Sequence, residues 1–358
     1  MLYGGRTLTD WVLEGGRAEH APMAYRTRLR WHAFWFEHNW STQTVRLDAL
    51  PLPQDPIFII GPWRSGTTVL HELLAFITGW ATPRTWQCFN PSTCFLVGAP
   101  AAATQTRRPM DEGVISTHGP QEDEFAALLL GEDSVYRGFI DPRRLRACAA
   151  RLWRTEQGSR APQQGSQDDL SRWLSFIRGI GAEAEGGRLL LKSPNHTFRL
   201  PWLQRCFPRA RFIWIGRHSQ ELLASNTRMW RAMMARYALW QCPDGELEGF
   251  IGDTFRACAD VLSQSLEEIS PEQLLWVSFE DLRANPRELL RHVLDFLSVE
   301  RDAACERRLA EALGTIPIHP GSRAPALADA DAERLDRLMR TAQQRFGGDG
   351  VAQRSANR

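Results

Sequence analysis

The segment GPWRSGTT, Gly61 to Thr68, follows the apolar run Ile57 to Ile60 and opens a helical pattern at Thr67. Glycines at 61 and 66 let backbone amides turn inward, and a helix N-terminus adds partial positive charge, so the segment suits an anion cradle. Gly61, Trp63, Arg64, Ser65, Gly66, Thr67 and Thr68 are its candidate contacts. The glycine spacing is that of a nucleoside-triphosphate loop, G-x-x-x-x-G-K-[ST], but Thr67 stands where that loop needs lysine. Positive charge comes from Arg64 instead. The expectation is a doubly anionic group held without metal, and ATP hydrolysis is disfavoured.

A second arrangement lies downstream. Arg217 ends an apolar run, and Ser225 follows eight residues on, about two turns into the next helix. An arginine at the carboxyl end of a strand with a helix-borne hydroxyl suits a phosphate monoester. Lys192 is the only lysine among 43 basic residues. A position that stays lysine in an arginine-dominated chain is expected where a compact ammonium cannot be exchanged for a planar guanidinium.

These residues need a scaffold. Four short apolar runs, Ile57 to Ile60, Arg188 to Leu191, Arg211 to Ile215 and Leu274 to Phe279, read as buried parallel strands. Helical patterns follow at Thr67 to Ile77, Leu200 to Phe207, Gln220 to Arg236 and Pro286 to Leu297. Repeated strand-turn-helix units predict an α/β domain with a central parallel sheet flanked by helices. Residues 1–50 form an aromatic-rich N-terminal extension, expected to be helical and packed on the main domain of residues 51–345. Within it Trp31, Phe34, Trp35 and Trp40 read chiefly as core, with one wall of an apolar substrate pocket as the lesser reading. The Gly/Gln/Ser-rich stretch ending near Leu170 reads as a surface loop, and residues 346–358 as a disordered tail.

Two phosphate sites on one sheet describe 3′-phosphoadenosine-5′-phosphosulfate (PAPS). The chain resembles the PAPS-dependent sulfotransferases, most closely the bacterial group whose 5′-phosphosulfate loop reads PRSGTT. Here Trp63 replaces the proline. Arg217 and Ser225 match the family's 3′-phosphate pair, while its usual Asp-Pro after the arginine is replaced by His218 and Ser219, with Ser219 expected to take over the helix cap. RPMD with GPQEDEFAALLLG (Arg108 to Gly131) resembles the acidic active-site segment, and KSPNH (Lys192 to His196) the active-site lysine loop. VSFEDLRANPRELLRHVLDFL resembles the late strand-helix unit, which implies Phe279 near the adenine. The resemblance covers roughly residues 55–300. It implies the P-loop-nucleotide-kinase-like sulfotransferase fold, PAPS as donor, PAP as product, and transfer to a hydroxyl or nitrogen of a small-molecule acceptor.

Sulfuryl transfer needs charge stabilised on the departing phosphate and a base for the acceptor. Lys192 is the candidate for the first, with Arg64 sharing the charge. Glu122 is the candidate base on the family match, with His196, His118 and Glu124 as alternatives. Carboxylates two apart on a helix cannot share a face, so at most one of Glu122 and Glu124 is expected to point inward. No His/Cys/carboxylate set has metal-ligand spacing, so no metal is expected. The rivals are a P-loop kinase of a small metabolite, which needs Mg²⁺ and the absent loop lysine, and a non-catalytic nucleotide-binding module.

Composition narrows the classes. Hydrophobic residues make up 43% and charged residues 24%, as in an ordinary globular enzyme. A net charge of +1 argues against a general nucleic-acid or membrane-surface binder. No run is long enough to span a membrane. Seven cysteines without a CxxC pair read as reduced thiols in a cytoplasmic protein. The acceptor's identity, a carrier protein and homo-oligomerisation are left open.

Overall fold

The computed structural model describes residues 23–108, 110, 113–154, 170–184, 187–318 and 330–347. The four apolar runs form one parallel sheet of strands β1 (Ile57–Ile60), β4 (Leu190–Lys192), β5 (Arg211–Gly216) and β6 (Leu274–Ser278), in the order β4-β1-β5-β6. A separate two-stranded antiparallel sheet pairs β2 (Gln105–Arg107) with β3 (Val114–Ser116). Strand β1 is buried along its whole length, as expected of a strand covered on both faces. The register pairs Ile59 with Lys192 on one side and Ile60 with Trp214 on the other. That places Lys192 beside the strand that feeds the Gly61 loop.

Helices cover both faces. One core layer joins β1, β5 and β6 to α2 (Thr67–Thr78) and α12 (Pro286–Phe296) through Leu70, Leu73, Leu74, Leu290 and Val293. The other layer gathers Trp63, Trp173, Phe198, Trp230 and Phe250 around Phe58 and Trp214. Long helices α9 (Ser219–Tyr237) and α10 (Glu246–Glu268) lie here, and the C-terminal helix α14 (Ala330–Phe346) packs along α10. Phe346 is buried at its end.

Helix α1 (Met23–Leu47) packs on α7 (Ser171–Ala182) with Phe36, Trp40, Gln43 and Leu47 inward. The core reading of the aromatic stripe is corrected here. Trp40 is buried, but Trp31, Phe34 and Trp35 are exposed. Helical rotation explains the split: residues 36, 40, 43 and 47 share one side, whereas 31, 34 and 35 face away. Element ends moved by one or two residues, most usefully at β4, which runs through Lys192 rather than stopping at Leu191. The Gly/Gln/Ser-rich stretch and the tail from residue 348 lie outside the described residues.

Candidate active site

Gly61 and Gly66 adopt φ of 137° and 102°, a region that side chains resist. A Cβ at Gly61 would sit 2.3 Å from the Ile215 carbonyl oxygen, and one at Gly66 2.4 Å from the Phe279 ring. Between them Arg64 takes φ of 72°, a strained backbone of the kind concentrated at ligand loops. The loop is anchored from outside: the Gly61 amide donates to Thr197 Oγ1 at 2.8 Å, and Asn226 Nδ2 donates to the Trp63 carbonyl at 2.8 Å. Ser65 Oγ is buried within the cradle and has no partner among the described residues. An orphaned buried hydroxyl at a helix start fits an anionic group.

Trp63 corrects one expectation. Its ring points into the core, 5.6 Å from Phe198 and 5.8 Å from Trp230, so only its backbone belongs to the cradle. Its indole Nε1 donates to Tyr136 Oη at 3.0 Å.

The two candidate anion sites touch. Arg64 Nε donates to Ser225 Oγ at 3.1 Å, and Arg217 Nη1 donates to the Arg64 carbonyl at 3.2 Å. The Arg217 guanidinium lies 4.8 Å from the centre of the Phe279 ring. Its Nε and Nη2 donate to Glu221 one turn into α9, which holds the guanidinium at the crevice. Ser219 does not take over the cap of that helix, contrary to expectation. Asp336, on α14, accepts from the Ser219 amide at 3.1 Å and from Ser219 Oγ at 2.7 Å. A distant carboxylate thus caps the helix that carries Ser225, a pairing across 117 residues that local sequence does not signal.

The run Glu122-Asp123-Glu124 forms three separate buried pairs. Glu122 Oε2 accepts from Lys192 Nζ at 3.0 Å, Asp123 Oδ2 meets His196 Nε2 at 2.7 Å, and Glu124 pairs with both Arg199 Nη atoms. The expectation that at most one of Glu122 and Glu124 points inward is therefore corrected. Asp123 is the cap of helix α5 (Glu124–Leu130), so residues 122–124 straddle a helix start and fan outward to partners at 192, 196 and 199.

Of the four candidate bases, only Glu122 reaches Lys192. Glu122 Oε1 also accepts from Tyr136 Oη at 2.6 Å and Ser193 Oγ at 2.9 Å. Burial, reinforced by the charge of Glu122, holds the Tyr136 phenol well above its ordinary value, so it stays a donor. His196 is fully buried between Phe58 and Trp173. Burial alone would raise Asp123, but the His196 charge and hydrogen bonds from His196 and Trp173 hold its carboxyl below the usual range. His118 lies on the turn after β3, where its Nε2 meets the Pro100 carbonyl at 3.0 Å. Glu124 is committed to Arg199. The sequence did not single out Tyr136, Ser193, Thr197 or Asp336, although Ser193 lies within KSPNH.

Lys192 Nζ also lies 3.3 Å from Thr68 Oγ1, so one ammonium joins the cradle to Glu122. Beside this cluster, the half-buried Phe125 ring lies tilted against Tyr136 at 5.2 Å and against Phe89 at 5.1 Å. Among the described residues, no three His, Cys, Asp or Glu side chains are grouped as metal ligands, and none of the seven cysteines forms a disulfide. No described helix is long and apolar enough to cross a membrane.

The chain is similar to known proteins in three ways. The family model described as the sulfotransferase family matches residues 56–303. The omega-hydroxy-beta-dihydromenaquinone-9 sulfotransferases Stf3 of Mycobacterium bovis and Mycobacterium tuberculosis are each 29% identical over 251 residues, 68% of this chain and 63% of theirs. The chain therefore matches somewhat less than two thirds of those relatives. Among solved structures, sulfotransferase STF9 from Mycobacterium avium aligns with a TM-score of 0.63 at 19% identity, over 86% of this chain and 80% of that one. Sulfotransferase STF1 from Mycobacterium tuberculosis H37Rv aligns with a TM-score of 0.58 at 16% identity, over 87% and 81%. These two likenesses are of fold, and they agree with the α/β architecture of a central parallel sheet flanked by helices. With the family model covering most of the sheet and its crevice, the chain belongs to the sulfotransferase family.

Proposed function

We infer that the enzyme transfers the sulfuryl group of PAPS to a hydroxyl or nitrogen of a small, lipophilic acceptor, without metal. The observation that carries this reading is the position of Lys192, bonded at once to Thr68 of the cradle and to Glu122. Bound PAPS supplies an activated sulfuryl group on its 5′-phosphate. The amides at the start of α2, Arg64 and the orphaned Ser65 hydroxyl would hold the phosphosulfate, and Arg217 and Ser225 the 3′-phosphate, with Phe279 beside the adenine. Glu122 takes the acceptor proton as the new bond to sulfur forms. Lys192 meets the negative charge that develops as the bond from sulfur to the bridging oxygen breaks. Tyr136 and Ser193 orient Glu122 and keep its second oxygen toward Lys192.

Phe89 and Phe125 support an apolar acceptor. The curated relative is named for a hydroxylated menaquinone, a lipid, which agrees with that class. A kinase reading would need a lysine at Thr67. The test is incubation of the enzyme with PAPS and separate hydroxylated and amino lipids, with polar alcohols as controls. Gain of a sulfonate on a lipid, seen by mass spectrometry with matching PAP release, is expected. PAPS left intact while ATP with Mg²⁺ is consumed would overturn the reading.

A further inference from the structure

Helix α1 has two unlike faces. Phe36, Trp40, Gln43 and Leu47 seal one against the domain, and the opposite one carries Trp31, Phe34 and Trp35, which are 56%, 60% and 48% exposed. The three rings form a preformed knot: Trp31 stacks on Trp35 at 6.0 Å, Phe34 meets Trp35 edge-on at 5.6 Å, and His38 lies flat against Phe34 at 6.2 Å. Val45, also exposed, extends this face toward the helix end. Single exposed apolar residues are ordinary, but a contiguous aromatic patch marks an interaction site.

Among the described side chains, charge is sorted in the same direction. The α1 sequence holds Arg26, Arg28, Arg30 and Arg46 against one carboxylate, Glu37. Glu37 is turned to the domain and pairs with Arg172 of α7, and the adjoining Asp48 bonds Ser175. Arg30 and Arg46 are exposed, Arg30 next to Trp31 in the chain and Arg46 next to Val45 near the helix end. The whole-chain charge of +1 conceals this local segregation.

We propose that the outward face of α1 docks on the surface of an anionic phospholipid bilayer. Tryptophan and phenylalanine on one face of a helix with a cationic rim is the pattern of an interfacial helix, with indole rings at headgroup depth and arginines on lipid phosphates. A second copy of the chain fits less well. Three half-exposed rings offer roughly 300 Å², from about 200 Å² per aromatic side chain, against about 800 Å² per partner in a standard interface. The like-charged arginine rims would also face each other across a two-fold axis. Docking would hold the crevice near lipophilic acceptors, and for that purpose it rests on the acceptor class proposed above.

The experiment is vesicle flotation of the full chain with phosphatidylcholine alone and with about one third phosphatidylglycerol. The wild type should float with the anionic vesicles, less in raised salt and less with neutral vesicles. Trp31→Ser/Phe34→Ser/Trp35→Ser and, separately, Arg30→Glu/Arg46→Glu should each lower partitioning by about tenfold or more, with PAP binding unchanged. A wild type that ignores anionic vesicles, or two variants that float as well as wild type, would overturn the proposal. So would a wild-type dimer that the triple variant reduces to monomer without any vesicle binding. Vesicle binding that persists while PAP and ADP bind alike would remove the PAPS reading and leave the docking face standing.

Discussion

Lys192 Nζ stands 3.0 Å from Glu122 Oε2 in a site from which both side chains are almost fully withdrawn from solvent. Under the proposed chemistry this pair is a single device, with the carboxylate taking a proton and the ammonium meeting charge on the leaving group. Removing either partner leaves the other buried and unpaired. Lys192→Ala and Glu122→Gln should each lower kcat by roughly 10²-fold or more while PAP affinity changes little. The double variant should cost far less than the product of the two, because coupled residues are not additive. Strictly multiplicative losses in single-turnover transfer would show that the two act independently.

Lys192→Arg tests the meaning of the only lysine in the chain. A forked guanidinium cannot reach both Glu122 and Thr68 in the same geometry, so kcat should fall substantially. Turnover within about twofold of wild type would return Lys192 to a chance survivor of arginine enrichment.

Tyr136 is held between Trp63 and Glu122. Tyr136→Phe should cost about 1–3 kcal/mol of stability, since it strands the buried indole N–H and removes a donor to the carboxylate. Adding Trp63→Phe removes the stranded donor and should recover part of that loss. Urea midpoints of the single and double variants check this. A double variant less stable than Tyr136→Phe alone would refute the relay.

The expectations from sequence divide along lines of chain distance. The buried strands, the Gly61 cradle and the Arg217 to Ser225 spacing were legible because each is written within a dozen consecutive residues. The pairing of residues 122–124 with 192, 196 and 199 was not, since it depends on how α5 meets the turn after β4. Glu124 and His196 looked like candidate bases only because Arg199 and Asp123 could not be placed against them. The exposed knot on α1 was misread for another reason: aromatic content suggests burial, but helical phase decides which rings reach the core.

Asp336 supplies the strongest case of a remote contribution. Asp336→Ala should weaken PAP binding by up to about tenfold through the lost cap on the helix bearing Ser225. Adding His218→Asp, which puts a carboxylate at the cap position itself, should restore affinity. Calorimetric titration with PAP checks both. If Asp336→Ala binds PAP normally, the C-terminal helix contributes nothing to the site.

His71 sets a pH response in stability. Burial, aided by the charge of Lys192 and opposed by Asp123, pulls its ring from 6.5 to about 3, and Nε2 meets Thr82 Oγ1 at 2.7 Å. The unfolded chain binds a proton there below about pH 6.5 while the fold does not, so stability falls from about pH 6.5 to about 3 and levels off below. His71→Gln should flatten that decline while lowering stability at alkaline pH. Denaturant midpoints falling in parallel for wild type and variant across this window would contradict the assignment.

Donor chemistry depends most directly on what the two candidate anion sites hold. Titration calorimetry of the wild type with PAP and with ADP, each with and without Mg²⁺, measures it without knowledge of the acceptor. Losing charged hydrogen bonds to a phosphate costs about 1.5–3 kcal/mol. PAP should therefore bind about 10- to 150-fold more tightly than ADP, independently of Mg²⁺, and Arg217→Ala should erase most of the difference. Equal affinity for PAP and ADP in the wild type would contradict the assignment of Arg217 and Ser225, and with it the claim that PAPS is the donor.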